Sequence, residues 1–170
     1  MDKAITTVLL TIAGVVSVLV IMNSIYPALS RSTSAVTDAA GSAGDRIRTQ
    51  LSIIHAAGEL DDTGTWNDTN GDGDFDVFIW VKNVGDSRIL TIERLDLFFG
   101  PEGDFKRYPY VDDAGGSLPY WTYQIENDTE WGPRATLRVN LNFASALSQG
   151  TYLDKVVLPN GISDEDFFSM

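Results

Sequence analysis

The chain has no cysteine and a single histidine, His55. Without thiols there is no disulfide framework and no cysteine-bound metal. An exported domain of this composition must rely on its own core, on metal ions or on neighbours. One imidazole, with no Gly-x-Ser-x-Gly elbow and no phosphate-cradling glycine loop, leaves little for nucleophilic or phosphoryl-transfer chemistry. The residues point away from an enzyme. Positive charge is also scarce: 12 Lys and Arg stand against 24 Asp and Glu in 170 residues, for a net charge of −12. The imbalance is local. Residues 1–56 carry four basic and three acidic side chains, a net of +1, and residues 57–170 carry a net of −13. Phosphate contacts need Lys and Arg, so no nucleic-acid partner is expected. An acidic exterior suits a soluble domain in a salty or hot medium.

What is present begins with a run free of charge, Ala4 to Tyr26, which includes five Val, three Leu and four Ile. As a helix these 23 residues span ~35 Å, slightly more than the hydrocarbon core of a bilayer. The twelve aliphatics favour insertion by roughly 5 kcal/mol before the polar residues are counted against them. Thr7, Thr11, Gly14 and Ser17 gather towards one face, beside Thr6, Ala13 and Ser24. Small residues on one face let helix backbones approach closely. The run therefore reads either as a plain anchor or uncleaved signal, or as a helix that sits in a membrane first and packs against copies of itself later. Pro27 follows and favours a kink. The small, polar stretch Ala28–Ala40 continues the helix to about residue 40, and Gly41-Ser42-Ala43-Gly44 is expected to break it. This divides the chain into a hydrophobic helix and linker, 1–44, and a head, 45–170.

In the head, Arg46–His55 alternates as a first strand, with a helix as the other reading, and puts His55 at the strand end. Further strands are predicted over Phe75–Val84, Arg88–Phe99, Phe105–Val111, Tyr120–Glu126, Arg134–Phe143 and Thr151–Leu158, with turn-like stretches between them. Leu137, Val139, Leu141 and Phe143 alternate cleanly with polar residues. Short strands at this spacing predict an antiparallel sandwich of immunoglobulin-like type, so the fold class is α+β: a long apolar helix followed by an all-β head. Ile162–Met170 reads as an acidic-aromatic tail on the surface or on a neighbour.

A long apolar N-terminal helix leading through a small polar stretch into such a head resembles an archaellin or an archaellum-associated pilin-like protein. The phrases Trp80-Val81-Lys82-Asn83-Val84-Gly85, Asp96-Leu97-Phe98-Phe99-Gly100 and Leu158-Pro159-Asn160-Gly161-Ile162 carry the resemblance. They are similar to the F- and G-type archaellar proteins as much as to major archaellins. Lys3-Ala4-Ile5-Thr6 resembles the processing site of class III signal peptides, where a prepilin peptidase cuts after a basic residue; the cut would fall between Lys3 and Ala4. The resemblance implies an extracellular filament for motility, its helices in the core and its β heads outside. The chain would be membrane-inserted before assembly, with copies of itself, an assembly platform and an ATPase as partners. Its other reading is a membrane-anchored accessory protein of the same machine, whose head binds the cell wall or surface layer. A sugar-binding or hydrolytic module on an anchor is a third reading, and the lack of a catalytic constellation counts against it.

One stretch carries candidate chemistry. Asp68, Asn70, Asp72, Asp74 and Asp76 place oxygen donors at alternate positions with Gly73 at the sixth, the first half of an EF-hand-like loop. Ile79 stands where the twelfth-position Glu belongs. The loop is either a Ca2+ site completed by a carboxylate from elsewhere in the fold, or an acidic surface turn. Asn67 and Asn127 each open an Asn-x-Thr sequon in a predicted loop, as glycosylation acceptors of an exported protein. Asp61-Asp62, Asp112-Asp113 and Asp164-Glu165-Asp166 read as solvated turns rather than paired catalytic acids. Trp80 reads as core and Trp121 as partly exposed.

Overall fold

Free of charge from Ala4 to Tyr26 and rich in small residues beyond, the N-terminal segment forms one helix, α1, over Asp2–Arg48 in the computed structural model, which describes residues 2–170. Pro27 lies inside it. The hydroxyls of Thr7, Thr11, Ser17 and Ser24 each donate to the carbonyl four residues earlier, at 2.6–2.9 Å, so they satisfy themselves within the helix. The chain divides into two compact units, Met1–Ala43 and Gly44–Met170.

The expected break at Gly41–Gly44 does not occur, and the first strand does not start at Arg46. A helical glycine costs only about 1 kcal/mol, and local ties near the helix end offset it. Arg46 Nε donates to the Asn160 carbonyl at 2.8 Å, and the Thr49 amide closes on the Asp45 carbonyl at 2.9 Å. Arg46 and Arg48 in the last turn also face the negative end of the helix dipole.

The second unit is a sandwich of two four-stranded antiparallel sheets. The first has the order β1-β2-β6-β5, with β1 Leu51–Gly58, β2 Phe75–Asn83, β5 Tyr120–Glu126 and β6 Thr136–Phe143. The second has the order β4-β3-β7-β8, with β3 Asp96–Pro101, β4 Lys106–Tyr108, β7 Thr151–Val157 and β8 Ser163–Ser169. Strands one, two, six and five on one sheet and three, seven and eight on the other follow the order of an immunoglobulin constant-type domain, with β4 added at one edge. The core lies between the sheets. Val77, Ile79 and Val81 of β2 and Leu137, Val139 and Leu141 of β6 face Leu97, Phe99, Tyr152 and Val156 of the other sheet, all buried. Phe99 stacks on Tyr152 with ring centroids 5.3 Å apart.

Arg88–Phe99 is not one strand. Ile89 and Ile92 are both buried, a spacing that a flat strand cannot supply. The left-handed Thr91 (φ 56°) leads instead into a 3-10 turn at Ile92–Arg94 before β3. Phe105–Val111 shortens to β4, and Val111–Ala114 forms a single helical turn, α2, ending at the left-handed Gly115. The acidic tail is a strand, β8, paired along its length with β7. His55 lies within β1, not at its end, and stacks on Trp80 at 5.3 Å. Trp80 belongs to the outer face of its sheet. Trp121 is the buried one, its indole N–H donating to the Tyr108 carbonyl at 3.1 Å.

Candidate functional site

In β2 the odd residues face the core and the even ones face out, so Asp76 starts on the outer face of the first sheet. It is nevertheless wholly buried, because residues 59–74, between β1 and β2, fold back over that face. Glu59 organises the fold-back. Its carboxylate accepts from the Thr69 amide at 2.8 Å, the Thr69 hydroxyl, the Trp66 indole at 3.2 Å and the Asp76 amide at 3.2 Å. Leu60 and Trp66 form a bridge, and Trp66 packs edge-on against Phe75. Sequence reasoning had no signal for Glu59, an isolated acid in what reads as a loop; only its 3% exposure marks it.

The structure brings together three of the five residues expected to hold a cation. Asn70 Nδ2 lies 2.6 Å from Asp76 Oδ2 and 2.9 Å from Asp72 Oδ2. Asp68 shapes the loop instead, accepting from the Gly71 and Gly73 amides at 2.6 and 3.1 Å. Asp74 joins through its backbone, its amide donating to Asp72 Oδ1 at 2.9 Å. Two further residues complete the cluster from β6. Asn142 Nδ2 donates to Asp76 Oδ1 at 2.7 Å, and Asn140 Nδ2 to Asp76 Oδ2 at 3.3 Å. They are there because Asp76 pairs with Asn142 and Phe78 with Asn140 in the antiparallel register, which puts all three polar side chains on one face. Burial pushes the Asp76 carboxyl up to about 6, against the lowering effect of the Asn140 amide and with the charges of Asp72 and Glu59 adding to the rise. Among the described residues, no three Asp, Glu, His or Cys side chains gather as a metal-holding set. The cluster is mixed carboxylate and amide.

The other candidate residues are spread over both units. In the first unit, Thr7, Thr11, Gly14 and Ser17 are exposed on α1, as are the apolar residues around them. Gly14 leaves a shallow open groove lined by Thr11, Val15, Val18 and Leu19. The helix is long and apolar enough to cross a membrane. Lys3 and Ala4 lie in its first turn. In the second unit, Asn67 is exposed beside the Glu59 fold-back, its amide bonded to the Glu59 carbonyl at 3.0 Å. Asn127 is exposed and left-handed (φ 56°) in the β5–β6 connection.

No protein-family model and no curated protein matches the chain. Solved structures do. The archaellum periplasmic stator protein FlaG from Sulfolobus acidocaldarius is 27% identical, over 71% of this chain and 99% of that one, with a TM-score of 0.53. A chain of the archaellum periplasmic stator complex of FlaF and FlaG from the same organism is 27% identical, over 71% of this chain and 89% of that one, with a TM-score of 0.52. The structural neighbours are thus archaellum-associated, and they are stator proteins rather than the filament itself.

Proposed function

We propose that this chain is a membrane-anchored accessory part of an archaellum. Helix α1 lies in the cell membrane and the acidic sandwich outside it, and the protein acts as an anchor or stator element rather than as the repeating filament subunit. The observation that carries this reading is the likeness to a periplasmic stator protein over nearly the whole of that chain. The apolar side chains all round α1 support it, since each needs a dry neighbour and a bilayer supplies one. So does the net charge of −13 over residues 57–170, which suits an exposed domain. The role is mechanical and non-catalytic. The partners in this reading are other parts of the machine: a second sandwich protein, by analogy with the FlaF–FlaG complex, and the cell wall or surface layer. The assembly platform and ATPase fit the same reading, and glycans at the exposed Asn67 and Asn127 belong to it as well.

The filament reading has one observation of its own, the groove at Gly14, where a neighbouring helix would fit closely. Shearing the filaments from cells and quantifying this chain by mass spectrometry separates the two. The anchor reading expects the chain in the membrane fraction, at a small fraction of the filament subunit's abundance, and its deletion to stop swimming while filaments remain or shed. A chain that dominates the sheared filaments overturns it. The mass of the N-terminal peptide also shows whether the bond between Lys3 and Ala4 is cut.

A further inference from the structure

We propose that Asp72 and Asp76, with the side-chain oxygens of Asn70, Asn140 and Asn142, hold one Ca2+ ion that ties the β1–β2 loop to strand β6. Asp76 is fully buried and Glu59 is 3% exposed, and among the described residues neither takes part in an ion pair. Two buried carboxylates with no cation beside them are expensive to keep ionised. Glu59 is spoken for by four donors, two of them backbone amides. Asp76 is satisfied by carboxamides alone: those of Asn70, Asn140 and Asn142.

The second observation is independent of the acids. Asn142 is 95% buried, its carboxamide reaches into the cluster, and its Oδ1 has no hydrogen-bond partner among the described residues. Asn140 Oδ1 is likewise buried and without a partner among the described residues. A half-turn about the terminal side-chain torsion exchanges the oxygen and the nitrogen of an Asn amide. Each amide that donates to Asp76 can therefore turn its unpartnered oxygen to a cation seated against the same carboxylate, its nitrogen taking the place the oxygen held. Asn70 already marks a bridging position, since its Nδ2 touches carboxylate oxygens of both Asp72 and Asp76. All the donors are oxygens, from carboxylates and amides, which is the chemistry of a hard cation. An irregular set drawn from a loop and a strand suits Ca2+ better than the strict octahedron of Mg2+. The missing twelfth-position Glu is explained too. Ile79 lies in the core, and the far side of the site is furnished by β6.

The test uses the full chain in detergent micelles, stripped of divalent cations and titrated with CaCl2 in an isothermal calorimeter. The expected result is one saturable Ca2+ per chain, with Mg2+ at least tenfold weaker. Asp72→Asn changes an exposed loop residue and leaves the fold intact; it is expected to weaken Ca2+ at least tenfold, and Asn142→Leu to abolish saturable binding. Asp112→Asn, in an acidic pair elsewhere on the head, is expected to leave the affinity unchanged. Four results overturn the proposal: no saturable binding up to 10 mM Ca2+, about tenfold above the weakest affinities of extracellular Ca2+ modules, equal affinity for Mg2+, an Asp72→Asn chain that binds as tightly as the parent, or an equal loss in Asp112→Asn.

Discussion

Asp154 faces inward from β7 in a row with Tyr152 and Val156, and its register partners are Phe99 and Asp166. It is fully buried, and neither carboxylate oxygen has a hydrogen-bond partner among the described residues. Burial, followed by the charges of Asp166 and Asp164, pushes its carboxyl up to about 7 from the usual 3.8. The folded chain therefore holds a proton that the unfolded chain has already released across that interval. The stability this contributes is fully present below about pH 4 and is lost as pH rises through about 7. Asp154→Asn keeps the neutral shape and removes the titration. Urea melts at pH 4.5, 6 and 8 are expected to show wild type and variant close together at pH 4.5. At pH 8 the variant should be more stable by on the order of 3 kcal/mol. Parallel pH profiles would show that the carboxyl is not held as described.

At the scale of elements, Gly85 packs against the backbone of residues 48–50, within the second unit. A Cβ there would lie 2.4 Å from the Arg48 carbonyl oxygen and 2.6 Å from the Gln50 nitrogen, both backbone atoms with little room to give. The amides of Gly85 and Val84 donate to the Gln50 carbonyl at 3.1 and 3.0 Å, and those of Asp86 and Ser87 to the Arg48 carbonyl. Gly85→Ala is expected to lower stability by about 2 kcal/mol or more through this backbone clash. It should also speed amide exchange at residues 83–87, which hydrogen-exchange mass spectrometry resolves. The groove at Gly14 calls for the opposite treatment, because among the described residues nothing beyond the helix's own backbone lies within 4 Å of a Cβ added there. Gly14→Leu is expected to leave the melting of the head unchanged and to weaken helix–helix association several-fold in a membrane-reporter assay. Unchanged association would dismiss the small-residue face as a packing surface.

These elements also show what the sequence can and cannot disclose. The apolar run and the alternation of Leu137, Val139 and Leu141 are read directly, because each repeats at the period of its own structure. In β2, Phe78 and Trp80 on one face are as apolar as Val77, Ile79 and Val81 on the other, so period alone does not choose the inner face and Trp80 is misplaced. β8 escapes notice because Ser163-Asp164-Glu165-Asp166 has the composition of a turn; an edge strand tolerates such charge where a central strand would not. The calcium-like spacing of 68–76 is legible, but Asn140 and Asn142 are not, since they lie 64 and 66 residues from Asp76 and only strand register brings them there.

For the whole molecule, charge sets the terms. Residues 57–170 carry −13 and residues 1–56 carry +1, so the sandwich repels itself, and salt relieves the repulsion. Raising NaCl from 10 to 150 mM shortens the Debye length from about 30 to about 8 Å. The melting temperature of the detergent-solubilised chain is expected to rise by several degrees over that range, as followed by circular dichroism. A flat or falling profile would mean that the acids are compensated locally. One contact bears on how such chains live beside one another. Asp164 of β8 accepts the Ile53 amide of β1 at 2.8 Å, next to the irregularity in the β1–β2 pairing between Ile53 and His55. A backbone donor on the edge strand of the first sheet is thereby taken up by the protein's own carboxylate, from the β8 strand that lies beside it. Two copies of the sandwich are thereby denied an easy seam along which to zip strand to strand.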